Sequence, residues 1–260
     1  MYVDTSAHSA SAERRSTRPL TTRNTFFSTS ADEVPLTFRI ASSQTDRCDA
    51  FRLVYRHYVE KEMMPTNRYR LRVTKHHLLA TTTVFVAEAA GEIVGTVSLI
   101  EDSDLGLPMD RVHAEITCGF RRRGISQAEV SSLAIRQQSG SPRLSMFLGL
   151  TRHMAQYARR RGVDQLLVNC IPRHAQFYCR HLGFCQMGGP RAYPQMCNTR
   201  GVACSLDLAH LASDHPDVHQ CYFGDPLPAA ALISTPMSAF ERAALGRVLR
   251  ETTPGLRKAV

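Results

Sequence analysis

Between residues 128 and 171, the apolar and polar positions have the period of a strand, then that of a helix, and then that of a strand again. Ala128–Ile135 (AEVSSLAI) and Asp164–Ile171 (DQLLVNCI) are short and apolar, and the polar loop Arg136–Arg143 and the amphipathic segment Leu144–Gly162 lie between them. Strand, loop, helix and strand in about 45 residues predict a βαβ crossover with neighbouring parallel strands. Free N–H groups of the loop and of the helix N-terminus should meet the carboxyl end of the first strand, so we expect the chemistry there.

The same periodicities predict further elements on both sides of this crossover. The predicted strands are Pro35–Ala41, a hairpin of Thr81–Ala87 and Ile93–Ile100, and one or two strands within Cys185–Leu208. The predicted helices are Gln44–Met64 with Asp46 as its cap, a short helix within Arg68–Leu79, Val112–Arg123, and one within Pro172–Phe184.

The two ends of the chain differ in pattern. Residues 1–34 are rich in Ser, Thr, Arg and Ala without apolar periodicity, which predicts a disordered tail; an Arg- and Ser-rich transit peptide is the alternative. A last helix is predicted over Ser238–Arg250, where Ser238 and Glu241 fit a capping box. Its expected apolar stripe is Phe240, Ala244 and Val248.

Composition narrows the class of protein. The chain has 260 residues, of which 43% are hydrophobic and 21% charged, and no apolar run long enough to span a membrane, so we expect a soluble globular protein. A net charge of +9 favours an acidic partner, such as nucleic acid, anionic lipid or an acidic carrier protein. Eight cysteines without a C-x-x-C pair predict reduced thiols and a cytoplasmic location.

The middle of the chain resembles a known family. Its order of strands and helices resembles the GNAT acyltransferase fold, a mixed α/β sheet flanked by helices. The pieces RVTKHHLLATTTVFVAEAAGEIVGTVSLI, DSDLGLPMD, the Glu115–Arg123 segment and AEVSSLAI resemble, in that order, the FeeM-type long-chain N-acyl amino acid synthases, which are related to the acyl-homoserine-lactone synthases. The resemblance implies a GNAT-like domain over residues 35–208, after the tail of residues 1–34 and before a C-terminal extension, residues 209–260, with one helix.

The resemblance implies acyl transfer from an acyl carrier protein thioester to the α-amine of an amino acid, with no bound cofactor and acyl-coenzyme A as the other possible donor. An amine must lose a proton to react, and Glu129 is the only carboxylate in the central strand, so we predict that it accepts this proton. Alternation along the strand places Glu129, Ser131, Leu133 and Ile135 on one face and Val130, Ser132 and Ala134 on the other. Ser131 is therefore the second predicted catalytic residue, and backbone N–H groups near Leu133 to Ile135 are candidate donors to the thioester oxygen.

Binding residues follow from the same resemblance. The predicted substrate-binding residues are Leu133, Ala134, Ile135, Glu115 and Tyr58. The predicted donor-binding residues are Gln137, Gly140, Arg121, Arg122 and Arg123. The coenzyme-A loop pattern Q/R-x-x-G-x-G/A ends here in Pro142, which has no N–H for a phosphate and so favours a carrier protein. Val54 and Ser132 stand where related synthases often have Arg.

Other interpretations stay open at this point. Glu129 can pair with an Arg at a strand end, Glu115 can be an exposed helix residue, and the Arg runs can be solvated faces. The cluster Cys170, His174, Cys179, His181 and Cys185 has no common zinc spacing, so we predict no metal. A coenzyme-A-dependent N-acetyltransferase is the second candidate function, and a basic nucleic-acid-associated module, suggested only by charge, is the third.

Overall fold

A mixed eight-stranded sheet runs through the part of the protein that the computed structural model describes, which comprises residues 35–136, 143–193 and 196–253. The strands are β1 Leu36–Ile40, β2 Thr82–Ala89, β3 Glu92–Glu101, β4 Gln127–Ile135, β5 Gln165–Cys170, β6 Cys185–Gln186, β7 Arg191–Tyr193 and β8 Thr199–Asp207. They lie in the order β1-β2-β3-β4-β5-β8-β6, and β7 pairs with β8. The β4–β5 pair is parallel and the other pairs are antiparallel.

Helices cover both faces of this sheet. They are α1 Gln44–Glu60, α2 Asp110–Arg122, α3 Arg143–Arg160, α4 Pro172–His181, α5 Leu211–Asp214, α6 Pro216–Phe223 and α7 Ala239–Thr252, with 3-10 helices at Lys75–Leu78 and Ala229–Leu232. The predicted α/β architecture is confirmed. The predicted disordered tail, residues 1–34, lies outside the described residues, and the predicted domain boundary at residue 208 stays a prediction.

The predicted crossover is present, and its two strands separate part-way along. β4 and β5 pair from Gln127 with Gln165 to Val130 with Val168. Beyond Val130, β4 pairs only with β3 on its other side. The strands therefore open a gap in the middle of the sheet, at the carboxyl end of β4, where the sequence places the chemistry.

A β-bulge in β4 changes which side chains share a face. The register with β3 shifts between Ser131 and Ala134, and Ser132 has φ +54°, in the left-handed region. Leu133 and Ile135 consequently pack into the core on the α3 face, and Ala134 packs against α1 on the opposite face. The predicted sharing of one face by Glu129, Ser131, Leu133 and Ile135 is therefore wrong. Strict alternation failed because an extra residue in a bulge inverts the pattern beyond it.

Two apolar cores sandwich the sheet. On one face α3 buries Met146, Leu150 and Met154 against the sheet. On the other face α1 and α7 share a cluster that contains Phe51 and Leu245. β2 serves both cores, because its side chains alternate between the faces.

The helix caps refine two sequence predictions. Ser43, not Asp46, caps α1; Asp46 occupies the third helical position and completes a capping box. In α7, Ser238 accepts from the Glu241 N–H at 3.1 Å, but the Glu241 carboxylate pairs with buried Arg47. The predicted apolar stripe is wrong at Phe240, which is 77% exposed, because the buried face of α7 includes Glu241, Leu245 and Val248.

Two further features concern the helices and the cysteines. No helix in the described ranges is both long and apolar enough to cross a membrane. All eight cysteines are free thiols.

Candidate active site

One large cavity of about 1010 Å³ reaches the gap between β4 and β5. Cavities that bind drug-sized ligands typically have volumes of about 300–1,000 Å³, so this one holds more than a single amino acid. Side chains of both sheet faces line it, including Glu129 on one face and Leu133 on the other. The cavity therefore joins the two sides of the sheet where the central strands part.

Glu129 is the buried carboxylate of this cavity. Its side chain is on β4, only 4% of the residue is exposed, and Oε2 accepts from the Met109 N–H at 2.7 Å. Burial raises the pKa of Glu129 to about 8; the Met109 N–H and the Arg72 charge oppose this rise, and Asp110 adds to it. A carboxylate with a pKa near neutrality is suited to accepting a proton from a reacting group.

The loop before α2 holds Met109 in place. Arg121 on α2 donates to Asp102 at 2.6 and 2.8 Å and to Asp110 at 2.8 Å, so one guanidinium joins the two ends of the loop. Asp110 also accepts from the Leu107 N–H at 3.0 Å. This network holds the loop DSDLGLPMD beside the strand AEVSSLAI, where the loop supplies the N–H group that binds the carboxylate of the strand.

Backbone N–H groups of β4 are available at the gap. β5 pairs with β4 only as far as Val130, and the bulge interrupts the β3–β4 ladder around Ser132 and Leu133. N–H groups that face the gap have no strand partner on the β5 side. Such groups can stabilise an oxyanion that forms on a carbonyl placed between the strands.

Arg72 brings a positive charge to the same face as Glu129. Its Nη1 donates to Ser132 Oγ at 3.2 Å, and its guanidinium carbon lies 4.6 Å from the centre of the Tyr58 ring. Ser132 Oγ also lies 3.4 Å from His77 Nε2. The Thr74 N–H donates to His77 Nδ1 at 3.1 Å, which assigns the imidazole proton to Nε2.

The two histidines beside Arg72 are neutral. His77 is fully buried and stacks on Phe51 at 4.6 Å, and burial, followed by the charge of Arg72, lowers its pKa to about 3. Burial, followed by Lys75 and Arg111, lowers the pKa of His76 to about 4. His76 Nε2 is buried without a partner among the described residues, and the side chain lines the cavity.

These groups form what we call the polar end of the cavity: Arg72, His76, Glu129 and Tyr193. Tyr193 donates to the Pro108 carbonyl at 3.0 Å, and burial followed by the charge of Glu129 raises its pKa well above the usual range. The hydroxyl therefore stays protonated and anchors β7 to the loop that carries Met109.

The opposite side is apolar. We call it the apolar end, and it consists of Leu133, Phe147, Met154, Val168, Tyr178 and Leu206. Phe147 on α3 stacks on Tyr178 on α4 with ring centres 6.0 Å apart. A surface of this kind binds a hydrocarbon chain through burial, at about 0.8 kcal/mol for each methylene group.

Basic side chains surround the opening. We call the basic rim the cavity-lining group His57, Lys61, Arg143, Arg173 and His174. Burial, followed by Lys61 and Arg143, lowers the pKa of His57; burial, followed by Arg173, His57 and Arg143, lowers that of His174. Lys61, Arg143 and Arg173 therefore bring positive charge to one part of the cavity.

A family model described as N-acyl amino acid synthase FeeM matches residues 49–207. The chain belongs to this family. The solved structure of FeeM, an N-acyl amino acid synthase from uncultured soil microbes, is 25% identical, with a TM-score of 0.63 over 70% of this chain and 96% of that chain. The FeeM-family membership and this structural similarity identify the protein as an acyltransferase with a GNAT-like fold, as the sequence predicts.

Two more distant structures share the fold. The acyl-homoserine-lactone synthase LasI is 14% identical, with a TM-score of 0.55 over 75% of this chain and 98% of that chain. The coenzyme-A-dependent acyl-homoserine-lactone synthase BjaI with MTA is 15% identical, with a TM-score of 0.53 over 81% and 100% of the two chains. No curated protein sequence matches the chain.

Six of the ten predicted site residues that the structure of this FeeM-family chain describes meet at the cavity. Those that line it are Glu129, Ser131, Leu133, Ala134, Ile135 and Tyr58. Glu115 lies outside it, on the surface of α2, and pairs with Arg191 at 2.6 Å. Arg121, Arg122 and Arg123 also lie outside it. Gln137 and Gly140 are outside the described residues.

Sequence reasoning missed Arg72, His77, Met109, Tyr193 and the basic rim. Arg72 and His77 lie in the basic stretch RVTKHHLL, which belongs to the segment that resembles the FeeM family. That stretch could have indicated the site, because charged residues next to buried positions in a loop require a structural or functional explanation. Met109 contributes its backbone N–H, and the identity of a side chain does not reveal such a contact.

Proposed function

We propose that the protein transfers a long-chain acyl group from an acyl carrier protein thioester to the α-amine of an amino acid. The observation that carries the proposal is a large cavity that has an apolar end and a polar end with the buried carboxylate of Glu129. A thioester carbonyl in the gap between β4 and β5 would direct its hydrocarbon chain to the apolar end. The amine would then approach from the side of Glu129.

The chemical step follows from this arrangement. An ammonium group gives a proton to the Glu129 carboxylate, directly or through water, and the free amine attacks the thioester carbon. Negative charge gathers on the carbonyl oxygen, where N–H groups of β4 can bind it. The nitrogen of this intermediate still carries one proton more than an amide nitrogen. As the carbon–sulfur bond breaks, that proton passes to the leaving thiolate, directly or through water, and an amide forms. Ser131 lines the same space and is proposed to orient the amine or the water.

The basic rim supports a phosphate-bearing and acidic donor. Within the described ranges, Lys61, Arg143 and Arg173 have no ion-pair partner, and all three are exposed at the cavity opening. Clustered cations of this kind attract phosphate and acidic surfaces. Both the phosphopantetheine arm of a carrier protein and coenzyme A carry a phosphate, and only the carrier protein adds an acidic surface. Free thiols at all eight cysteines fit the cytoplasmic location that we include in the proposal.

The runner-up, N-acetyl transfer from coenzyme A to a small amine or a protein, needs no apolar end. An acetyl group would leave the surface around Phe147 and Tyr178 without a ligand. The large apolar volume therefore favours a long acyl chain.

The test compares two donors with the same acyl chain, one on acyl carrier protein and one on coenzyme A, and detects N-acyl amino acids by mass spectrometry. We expect a higher kcat/KM with the carrier protein, and a decline with salt because the rim attraction is screened. Equal or better turnover with acyl-coenzyme A would overturn the choice of donor. Absence of any N-acyl amino acid would overturn the proposed function.

Two variants locate the donor contact. A double variant, Arg143→Ser with Arg173→Ser, should lower kcat/KM for the carrier protein about tenfold or more, because two cations leave the rim. The matched control is Arg122→Ser with Arg123→Ser, on the exposed end of α2 away from the cavity. A larger loss in the control pair would assign donor docking to α2, as the sequence predicts, and not to the rim.

A further inference from the structure

Arg72 is a cation that lines the cavity. Among the described residues it forms no ion pair, although its guanidinium is held on three sides. Ser132 Oγ accepts at 3.2 Å, Met196 Sδ lies at 3.6 Å, and the Tyr58 ring centre lies 4.6 Å away. A guanidinium that is oriented but not neutralised is ready to bind a carboxylate through two parallel hydrogen bonds.

The support behind Arg72 fixes the position of the guanidinium. Neutral His77 has its proton on Nε2, facing Ser132 Oγ, while Thr74 donates to the other ring nitrogen. With its proton on Nε2, His77 cannot take a proton from Ser132, so the pair is not a nucleophile with its base. Its role is to hold the Ser132 oxygen as an acceptor for Arg72. The bulge at Ser132, with φ +54°, places the oxygen on this face of the sheet.

Arg72 and Glu129 line the same cavity, on either side of a short stretch of β4. Ser132, which binds Arg72, follows Glu129 by three residues on β4, a separation of at most about 10 Å along a strand. The charge of Arg72 also lowers the pKa of Glu129, in the direction opposite to the effect of burial. An α-amino acid carries its amine and carboxylate on one carbon, so it can present the amine towards Glu129 while its carboxylate meets Arg72.

We propose that Arg72, positioned by Ser132 and His77, binds the α-carboxylate of the acceptor and thereby selects amino acids over simple amines. This inference rests on the proposed acyl transfer and names the group that recognises its acceptor.

The test uses an amino acid and the amine that lacks only its carboxylate, with one acyl donor and the full chain. We expect the parent protein to prefer the amino acid. Arg72→Met should lower kcat/KM for the amino acid about 10- to 100-fold, as expected for the loss of charge-assisted hydrogen bonds, and leave the simple amine nearly unchanged. The kcat/KM of Arg72→Lys for the amino acid should lie between the values of the parent and of Arg72→Met. Arg200→Met, at another cavity-lining arginine, is the matched control and should keep the preference.

Different outcomes separate the two proposals. No acylation of either compound by the parent would overturn the proposed function together with this inference. Acylation by the parent, with equal losses for both compounds in Arg72→Met, would overturn the role of Arg72 alone. Should Arg72→Met fail to fold, Ser132→Ala decides, because it keeps the cation and removes its support. It should raise KM for the amino acid several-fold and not for the amine, and an unchanged KM would contradict the inference.

Discussion

The apolar and polar ends of the cavity are built in different ways. The apolar end is made by regular elements, β4, β5, α3, α4 and β8, whose side chains form one continuous core. The polar end depends on loops and single hydrogen bonds, such as the 2.7 Å contact between Met109 N and Glu129. Many small packing contacts act together at the apolar end, whereas a few specific hydrogen bonds determine the polar end. We therefore expect graded responses to substitution at the apolar end and large ones at the polar end.

The largest effect is expected at Glu129. Glu129→Gln keeps the shape of the side chain and its acceptance of the Met109 N–H, but removes the basicity. Loss of a positioned general base typically lowers the rate by about 10²- to 10⁴-fold, so kcat should fall by this amount with little change in KM for the acceptor. Steady-state kinetics on the folded variant, checked by circular dichroism, measures it. A variant that keeps nearly full kcat would make Glu129 a structural residue.

The next effect concerns the helix that borders the polar end. Arg47 binds Glu241 of α7 through bonds of 2.6 and 2.8 Å, and both residues are buried. Glu241→Leu leaves a buried unpaired guanidinium, so the free energy of unfolding should fall by about 3–5 kcal/mol in denaturant titrations. α7 packs against Leu71 and Val73, the neighbours of Arg72. The double variant Arg47→Met with Glu241→Leu is the control and should regain most of the stability; equal instability would contradict the ion-pair explanation.

A smaller and graded effect is expected at the apolar end. Ala155 on α3 lines the cavity and is fully buried, so Ala155→Leu should occupy space meant for the acyl chain. The preferred chain should shorten, with kcat/KM for the longest good substrate falling about tenfold, because each unburied methylene costs about 0.8 kcal/mol. Competition among acyl donors of different lengths measures the shift. KM for the amino acid should stay the same, and a rise in that KM with no change in chain preference would reverse the assignment of the two ends.

The smallest effect is a pH dependence of stability. Burial raises the pKa of Glu129 to about 8 in the folded chain, from 4.5 in the absence of burial. Between these values the folded state holds a proton that the unfolded state has released, so stability falls as pH rises from about 4.5 to about 8. Relative to Glu129→Gln, the parent should lose about 1 kcal/mol between pH 7 and pH 8, a change in Tm of about 2–4 °C. Parallel stability curves for the two proteins would contradict the raised pKa.

The two ends also differ in how well the sequence predicts them. The pattern of β4, α3 and β5 predicts the crossover and the side chains that reach the gap, because periodicity reports which face of an element is apolar. It does not reveal the bulge at Ser132, because the sequence continues to alternate through this position while the backbone does not. It also does not reveal the contact between Arg72 and Ser132, which joins residues 60 positions apart. Periodicity is a local property, whereas the polar end is made of distant contacts.

The pH dependence of kcat/KM in the parent protein tests the central claim most directly, namely that a buried Glu129 with a raised pKa takes the proton of the amine between the two ends. The carboxylate is the active form, and its pKa is about 8. We predict that kcat/KM of the parent rises tenfold per pH unit below about pH 8 and then levels off. The profile of Glu129→Gln, which has a lower kcat/KM, should show no change of slope near pH 8. An unchanged profile in Glu129→Gln, or a break near the ordinary pKa of a glutamate, would contradict the account.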